Sequence, residues 1–334
     1  MSNWYKDSEN RNIVVSSRIR LARNIEGIPF PSIMNDEQRL ELKKRVKSAI
    51  QDSKGSLSKE LKYIDMENVP KTEIMSMVER HVISPEFANS TKDRAIVLSD
   101  DESISIMVGE EDHIRIQVIL AGLQLEKAYE KACEIDNYLY EKLRFAFSGE
   151  FGYLTECPTN LGTGLRASVM LHLPICENNS EIATLSSTIS KIGFTVRGIY
   201  GEGSKAEGSL YQVSNQITLG LSEKNAIENL KIITNQLVEK EISAREKIDK
   251  NKLEDYCFRA FGTLKYARIL DSKEMISLIS RVKLGIDLGI IKTEFNPIEA
   301  MVTTSPYMLM KKYGEVSPSE RDIFRANEIR EKFK

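Results

Sequence analysis

Short segments in which apolar and polar residues alternate fall into two groups along the chain. The first group occupies residues 94 to 120, and the second lies between residues 165 and 215. Polar or glycine breaks separate the segments, which read AIVLS, SISIMVG, HIRIQVIL, LRASVMLHLP, GFTVRGIY and SLYQVSN. Alternation of this kind predicts antiparallel strands with one face buried.

Apolar residues spaced three and four apart predict helices around these strands. Residues 36 to 50 form one such segment, residues 125 to 139 form a second, and a long one starts near Ser222. After about residue 245 the remaining sequence is helical in pattern throughout. We therefore expect an α+β fold, with an antiparallel sheet flanked by helices in residues 1–245 and a small all-helical domain in residues 246–334.

The balance of charges excludes several classes of function. The 334 residues include 47 basic and 49 acidic side chains, so the net charge of −2 gives no field that would hold nucleic acid or an anionic membrane. No stretch approaches the ~20 apolar residues of a membrane span, and the first residues contain no apolar secretion segment. We expect a cytoplasmic protein. Four separated cysteines and three scattered histidines predict neither a disulfide framework nor a tightly bound metal.

Arginine recurs on the polar faces of the predicted strands. Alternation places Arg18 and Arg20 on one face of a first strand, and it places Arg115, Arg166 and Arg197 each on the polar face of another. Lysine occupies none of these positions. A pair of neutralised surface arginines would explain a single strand, but the shared bias favours bidentate binding of phosphate oxygens. Because the sequence has no GxxxxGK[ST] loop, we expect any nucleotide to be held by a cage of arginines.

Two glycine-containing loops allow the backbone to approach a ligand closely. The first, CPTNLGTGLRAS, begins with Cys157 and contains Gly162 and Gly164. The second, RGIYGEGSKAEGS, surrounds Glu202 with glycines. Taken alone, these features are more readily explained by a buried structural cysteine and a mobile hairpin connection.

Five segments together resemble a known family. In chain order they read SSRIRLARN, GEEDHIRIQ, ECPTNLGTGLRASVMLHLP, RGIYGEGS and YQVSNQ. They are similar, in the same order, to the motifs of the ATP:guanido phosphotransferases, the superfamily of creatine and arginine kinases, and most of all to its bacterial protein-arginine kinases. The similarity spans residues 13 to about 220, and the sequence RDIFRA extends it into the C-terminal region.

The resemblance implies a set of ATP-binding residues. The five arginines would hold the nucleotide phosphates, and His81 would contact the nucleotide. The matching segments also include Ser16, Ser17, Ile19, Ala167, Ser168, Val169, Met170, Gly198, Ile199, Tyr200, Gly201 and Glu202. Magnesium is implied because ATP carries it, with few or no direct protein ligands.

The resemblance also implies three catalytic residues. Glu111 and Glu202 match the two carboxylates that hold the acceptor guanidinium, and Cys157 matches the active-site cysteine. A guanidinium pKa of about 12.5 to 13.8 leaves very little neutral nucleophile at pH 7. A loose phosphoryl-transfer transition state lets the proton leave late toward a carboxylate, and Glu111 is the candidate base.

Two further features favour a protein acceptor over a metabolite. The SSRIR strand starts by residue 16, without the helical domain that precedes it in small-molecule guanidino kinases, and the helical tail has no counterpart in them. That tail also contains a motif that matches the family at Arg321, Asp322, Arg325 and Ala326. In the family, this motif is linked to the binding of phosphoarginine in a regulatory pocket. The same residues would otherwise form an ordinary exposed helix with an ion pair between Asp322 and Arg325.

Three hypotheses follow from these observations. The first is a protein-arginine kinase, the second is a small-molecule arginine or guanidino kinase, and the third is a catalytically silent phosphoarginine-binding adaptor. Two mutually repelling carboxylates kept together with five arginines count against the adaptor. For the first hypothesis the resemblance implies a homodimer, a zinc-binding activator protein, a heat-shock repressor as partner, and a Clp protease that degrades the marked proteins in the stress response.

Overall fold

The computed structural model describes residues 3–7, 12–51, 60–198 and 206–333. The strands are β1 Val14–Arg23, β2 Leu61–Asp65, β3 Ala95–Ser99, β4 Ile104–Val108, β5 Ile114–Ala121, β6 Phe147–Ser148, β7 Gly152–Tyr153, β8 Leu165–His172, β9 Phe194–Gly198 and β10 Leu210–Asn215. The helices are α1 Asp36–Gln51, α2 Lys71–Glu79, α3 Pro85–Ala88, α4 Leu125–Leu143, α5 Pro174–Asn178, α6 Ile182–Ser190, α7 Glu223–Glu246, α8 Lys250–Tyr266, α9 Ser272–Asp287, α10 Pro297–Thr303, α11 Pro306–Tyr313 and α12 Pro318–Glu331.

Within the described residues, eight strands form one antiparallel sheet in the order β2-β3-β4-β5-β1-β8-β10-β9. β1 lies near the centre and pairs with β5 on one side and β8 on the other. The sheet thus brings together the strands that carry the predicted phosphate-binding arginines. The predicted strands and helices are present, and the α+β class is confirmed.

Apolar side chains cover both faces of part of this sheet. One face packs against α1, α4 and α7 in the main hydrophobic core. The expectation of a single buried face is wrong for β3 and β4, in which every residue is buried. The reason is that Met77 of α2 and Phe87 of α3 pack with Ile96 and Met107 on the opposite face. The chain runs from this second layer toward the cavity that is described below.

A β-bulge interrupts the first strand. The register of β1 with β8 shifts between Val14 and Ser16, which leaves Val15 as the extra residue. Strict alternation predicts Val15 on the same face as Ile19, and that expectation is wrong, because Val15 packs on the other face in a cluster with Trp4. The bulge therefore gives the N-terminal residues an apolar contact on the arginine side of the sheet.

The C-terminal helices pack directly onto the rest of the protein. α7 ends at Glu246 and α8 begins at Lys250. A single cluster of buried apolar side chains includes Ile19 in β1 and Ile329 in α12. The domain boundary near residue 245 remains a prediction. None of the described helices combines the length and the apolar character needed to cross a membrane.

Candidate active site

All five arginines predicted to bind phosphate line one cavity of about 480 Å³. Three other predicted site residues line it as well, namely His81, Glu111 and Cys157. Among the described lining residues, six arginines face three glutamates, which is an excess of three positive charges. The cavity therefore suits a polyanion.

Arg18 and Arg20 are partly buried, and the protein satisfies their guanidinium groups incompletely. Arg18 donates through Nη2 to Gln212 Oε1 and through Nε to Ser168 Oγ at 3.4 Å. Arg20 Nε is buried and has no hydrogen-bond partner among the described residues. Burial, with the charge of Arg166 adding to it, lowers the pKa of Arg18 to about 10, and burial lowers the pKa of Arg20 well below its usual value. A bound anion would relieve both unfavourable effects.

Arg115 connects two glutamates at another part of the cavity. Its Nη1 pairs with Glu110, and its Nη2 donates to Glu111 Oε2 at 3.0 Å. Asn160 Nδ2 also donates to Glu111 Oε2, at 3.3 Å. Burial raises the pKa of Glu111, although the charge of Arg115 acts in the opposite direction. Glu111 is therefore a stronger base than an ordinary exposed glutamate.

The loop that carries Cys157 is held close to β1. Cys157 is partly exposed, and its sulfur lies 3.0 Å from Thr159 Oγ1. A short 3-10 turn, Pro158–Asn160, follows it. Gly164, with a φ of 60°, passes so near to β1 that a Cβ atom there would lie 2.6 Å from the carbonyl oxygen of Ala22. Only glycine fits this position, and the close approach brings the cysteine loop to the cavity.

Asp112 joins the loop that carries Glu111 to the loop that carries Cys157. Its carboxylate is buried and accepts hydrogen bonds from Asn24 Nδ2 at 2.6 Å and from the backbone N–H of Glu156 at 2.9 Å. Sequence reasoning missed this junction. The only signal for it is an acidic residue that directly follows Glu111 inside the GEEDHIRIQ segment.

His81 forms the wall of the cavity beside Arg18. Its backbone is left-handed, with a φ of 60°, and its N–H donates to the carbonyl oxygen of Val78 at 2.9 Å. The rings of His81 and Trp4 are 5.8 Å apart. Burial and the charge of Arg18 lower the pKa of His81 to about 3, so the ring is neutral near pH 7. A neutral aromatic ring is suited to contact a nucleobase.

Known proteins match both the catalytic and the C-terminal residues. The family model "ATP:guanido phosphotransferase, C-terminal catalytic domain" matches residues 41–244, and the model "Protein-arginine kinase McsB C-terminal domain" matches residues 250–334. The protein-arginine kinase of Halothermothrix orenii is 48% identical over 99% of this chain and 96% of its own length. The chain belongs to the protein-arginine kinase family. The family member of Caldanaerobacter subterraneus is 42% identical, with 96% of each chain covered.

Solved structures of guanidino kinases share this fold. The duplicated taurocyamine kinase of Schistosoma mansoni superposes with a TM-score of 0.63 at 24% identity, covering 82% of this chain and 41% of that one. A lombricine kinase superposes with a TM-score of 0.62 at 22% identity, covering 75% of this chain and 73% of the other. At these identities the similarity demonstrates the fold alone.

Several residues of the predicted ATP-binding segments lie away from the cavity. Ile19, Ala167 and Val169 point into the main hydrophobic core. Ser168 is buried beneath Arg18 and accepts its hydrogen bond. The described residues of these segments that do not line the cavity are Ser16, Ser17, Ile19, Ala167, Ser168, Val169, Met170 and Gly198.

Four predicted residues fall outside the part of the chain that the structure describes. They are Ile199, Tyr200, Gly201 and Glu202. Conversely, Arg94, Glu110, Asn160 and Gln212 line the cavity although sequence reasoning did not select them. Gln212 lies in the YQVSNQ segment, which gave a signal, whereas no pattern in the sequence singles out Arg94.

The predicted phosphoarginine motif of this family member lies on α12. Arg325 is 1% exposed and donates to the carbonyl oxygens of Thr304 at 3.0 Å and Leu270 at 2.8 Å, and it pairs with Asp322 at 2.5 Å. Ala326 is also buried, and Arg321 is partly exposed. Binding of a phosphoryl group by Arg325 would replace these contacts, so the regulatory pocket remains a prediction.

Proposed function

We propose that this protein transfers the γ-phosphate of ATP to arginine side chains of other proteins. The observation that carries the proposal is the cavity in which five strand-borne arginines meet Glu111 and Cys157. Arginine binds phosphate oxygens bidentately, and Arg20 Nε has no partner among the described residues. A polyphosphate would provide that partner.

The acceptor guanidinium must lose a proton during the transfer. Its pKa of about 12.5 to 13.8 makes deprotonation before the reaction costly, at ~1.4 kcal/mol per pH unit. Glu111 is half-exposed in the cavity, and burial raises its pKa, so it can accept the proton as the P–N bond forms. The γ-phosphoryl group moves from the β-phosphate oxygen to the guanidinium nitrogen, and ADP leaves with the electron pair of the broken P–O bond. The cavity arginines stabilise the charge that spreads over the phosphoryl oxygens.

Cys157 and Glu202 complete the proposed acceptor site. Cys157 lies in the loop whose Asn160 donates to Glu111, so its thiol is near the expected guanidinium position. A thiolate there would add negative charge against the acceptor. Glu202, outside the described residues, is proposed as the second carboxylate that grips and orients the guanidinium.

The choice of a protein over free arginine rests on two observations. Relatives named protein-arginine kinase cover 96% to 99% of this chain, and the C-terminal helices match a model specific to them. A small-molecule arginine or guanidino kinase is the alternative, because the fold is shared with taurocyamine and lombricine kinases.

Magnesium and the partner proteins belong to the proposal as well. Among the described residues, no three His, Cys, Asp or Glu side chains are grouped so that they could hold a metal ion. We propose that Mg²⁺ arrives on the ATP phosphates, as the resemblance to the family implies. A cytoplasmic homodimer, regulation by phosphoarginine, a zinc-binding activator, a heat-shock repressor and a Clp protease in the stress response are proposed from the family resemblance alone.

Incubation with γ-labelled ATP, magnesium and either a protein acceptor or free arginine tests the proposal. We expect label on the protein in an acid-labile, alkali-tolerant P–N bond, and little turnover of free arginine alone. Label that survives hot acid, as in phosphoserine, would contradict the proposed chemistry. Rapid turnover of free arginine would favour the alternative.

A further inference from the structure

The C-terminal helices contact the residues directly before His81 through one carboxylate. Glu79 is the last residue of α2 and lies two positions before His81. Its carboxylate accepts hydrogen bonds from Ser305 Oγ at 2.6 Å, from Tyr307 N–H at 3.0 Å and from Met308 N–H at 2.9 Å. These donors form the start of α11. The Glu79 carboxylate therefore lies at the N-terminus of the tail helix α11. Glu79 itself belongs to α2, in the layer of the fold that leads to the cavity wall.

A carboxylate is suited to this place. The first N–H groups of a helix have no partner within the helix, and the helix dipole favours a negative charge there. The Glu79 carboxylate accepts hydrogen bonds from two of these N–H groups and from one hydroxyl group. An amide in its place would present an NH₂ group, which cannot accept, to at least one of these donors.

The segment that follows Glu79 is closely held in an unusual conformation. His81 has a φ of 60°, and its carbonyl oxygen accepts from Gln117 Nε2 at 2.9 Å. Trp4 Nε1 donates to the carbonyl oxygen of Arg80 at 3.0 Å. A left-handed backbone at a non-glycine residue is unfavourable and persists only where its surroundings determine it. Because only Arg80 separates Glu79 from His81, we expect a displacement of Glu79 to disturb this left-handed backbone and with it the His81 ring.

On the tail side, the start of α11 is fixed by another helix. Arg325 of α12 donates to the carbonyl oxygen of Thr304, which directly precedes Ser305. Hydrogen bonds thus connect α12 to α11, α11 to Glu79, and the Glu79 segment to the cavity. The step from Glu79 to His81 is the backbone through Arg80, and the other steps are hydrogen bonds.

We infer that Glu79 is a positioning residue for the nucleotide, through which the C-terminal helices hold His81 in place. The inference rests on the proposed function and on the expectation from the family resemblance that His81 contacts ATP. Glu79 is not among the residues that line the cavity, so we expect it to act on the nucleotide only through His81.

The variant Glu79→Gln tests this inference, with Lys311→Gln as the matched control. Lys311 also joins α11 to α2, through a 2.5 Å ion pair with Glu73, but it is half-exposed and its partner is Glu73 rather than Glu79. For Glu79→Gln we expect the KM for ATP to rise about ten-fold, the equivalent of losing one hydrogen bond to a charged group. The kcat at saturating ATP and the KM for the protein acceptor should stay within two-fold. The control should leave all three constants within two-fold.

Ser305→Ala provides a milder second variant, because it removes one donor and leaves the carboxylate intact. We expect the KM for ATP to rise about three-fold, and no further rise when Ser305→Ala is added to Glu79→Gln. A purely structural role would instead lower the melting temperature and reduce kcat while the KM for ATP stays unchanged, and that result would overturn the inference. If the wild type transfers no phosphate to arginine, the proposed function fails first, whereas an active wild type with an unaffected Glu79→Gln variant refutes the inference alone.

Discussion

At the scale of single residues, Arg115 determines how the acidic side of the cavity is arranged. Its guanidinium binds Glu110 through one nitrogen and Glu111 through another. A planar fork can hold two carboxylates in fixed directions while it still presents charge to a phosphate. Lysine has a single ammonium group and cannot hold the same three partners in this geometry.

Arg115→Lys should therefore be nearly as damaging as Arg115→Ala. We expect both variants to lose at least ~100-fold in kcat/KM, because the lost fork disorders Glu111 as well as the phosphate contact. Steady-state kinetics with ATP and a protein acceptor measure the effect. Recovery of most activity by lysine would reduce Arg115 to a source of positive charge.

Glu111→Gln removes the proposed base and keeps the shape of the side chain. We expect a loss of at least ~100-fold in rate. Because burial raises the pKa of Glu111, the wild-type rate should fall with decreasing pH earlier than for an ordinary glutamate, as the carboxylate becomes protonated. A carboxyl group with a raised folded-state pKa destabilises the protein when ionised, so the neutral variant should melt no lower than the wild type near pH 7.

The variant Glu150→Gln, in an exposed turn, controls for the change of charge. It should keep the wild-type rate and pH profile. If the acid limb of the pH–rate profile is unchanged in Glu111→Gln, the titrating group is a residue other than Glu111. Full activity of this variant would show that another residue is the base.

Strand alternation predicted the arginines because a residue on a regular strand keeps its face. The same rule predicts His113 on the face of Arg115, but β5 begins only at Ile114. His113 is buried instead, accepting from the N–H of Ile25 at 2.9 Å and contacting the carbonyl oxygen of Pro29 at 2.6 Å. A strand end, unlike a strand interior, could not be located from the pattern.

At the scale of elements, the loops of the site are joined by contacts that no periodicity encodes. Asp112 is bonded to Asn24 at the end of β1 and to the loop before Cys157. The bulge at Val15 and the second buried face of β3 and β4 also come from tertiary packing. The sequence thus predicted the central strands and the long helices, but not β2, α2 or α3, and the irregularities of the sheet depended on distant partners.

Asp112→Ala should misplace both loops at once. We expect at least a ten-fold loss of kcat and a loss of about 1–3 kcal/mol in stability, because the buried Asn24 amide and the partly buried N–H of Glu156 each lose an acceptor. Kinetics and urea unfolding measure these effects, and the rate of Cys157 alkylation by iodoacetamide reports on the loop. If stability falls but kcat and the alkylation rate do not change, Asp112 stabilises the fold without positioning the site.

At the scale of the whole molecule, buried charges fasten the tail to the catalytic sheet. Lys283 and Asp287 pair within α9 at 2.8 Å, with side chains 3% and 5% exposed, and Lys283 Nζ also donates to the carbonyl oxygen of Asn12, just before β1, at 2.6 Å. His172 at the end of β8 contacts Ser280 of the same helix at 2.8 Å. β8 also carries Arg166, so the same strand contacts the tail and lines the cavity. The sequence predicted helices here, but not that their polar residues would be buried against the sheet.

Asp287→Ala leaves the buried Lys283 without its carboxylate. We expect a loss of about 3–5 kcal/mol in the free energy of unfolding, measured by urea denaturation. The exposed pair of Lys250 and Glu254, 3.9 Å apart, provides the control, and Lys250→Ala should change stability by less than about 0.5 kcal/mol. Similar small effects in both variants would show that the buried pair within α9 contributes little to the stability of the protein.

Site-resolved mass spectrometry under non-acidic conditions tests whether a protein arginine receives the γ-phosphate with Glu111 as the base. The acceptor should be one protein with a single accessible arginine, compared with its Arg→Lys version, each incubated with wild type and with Glu111→Gln. We predict phosphorylation on the arginine by the wild type, none on the lysine version, and at least ~100-fold less by the Glu111→Gln variant. Phosphate on serine, threonine, tyrosine or lysine, or equal arginine phosphorylation by both enzymes, would contradict it.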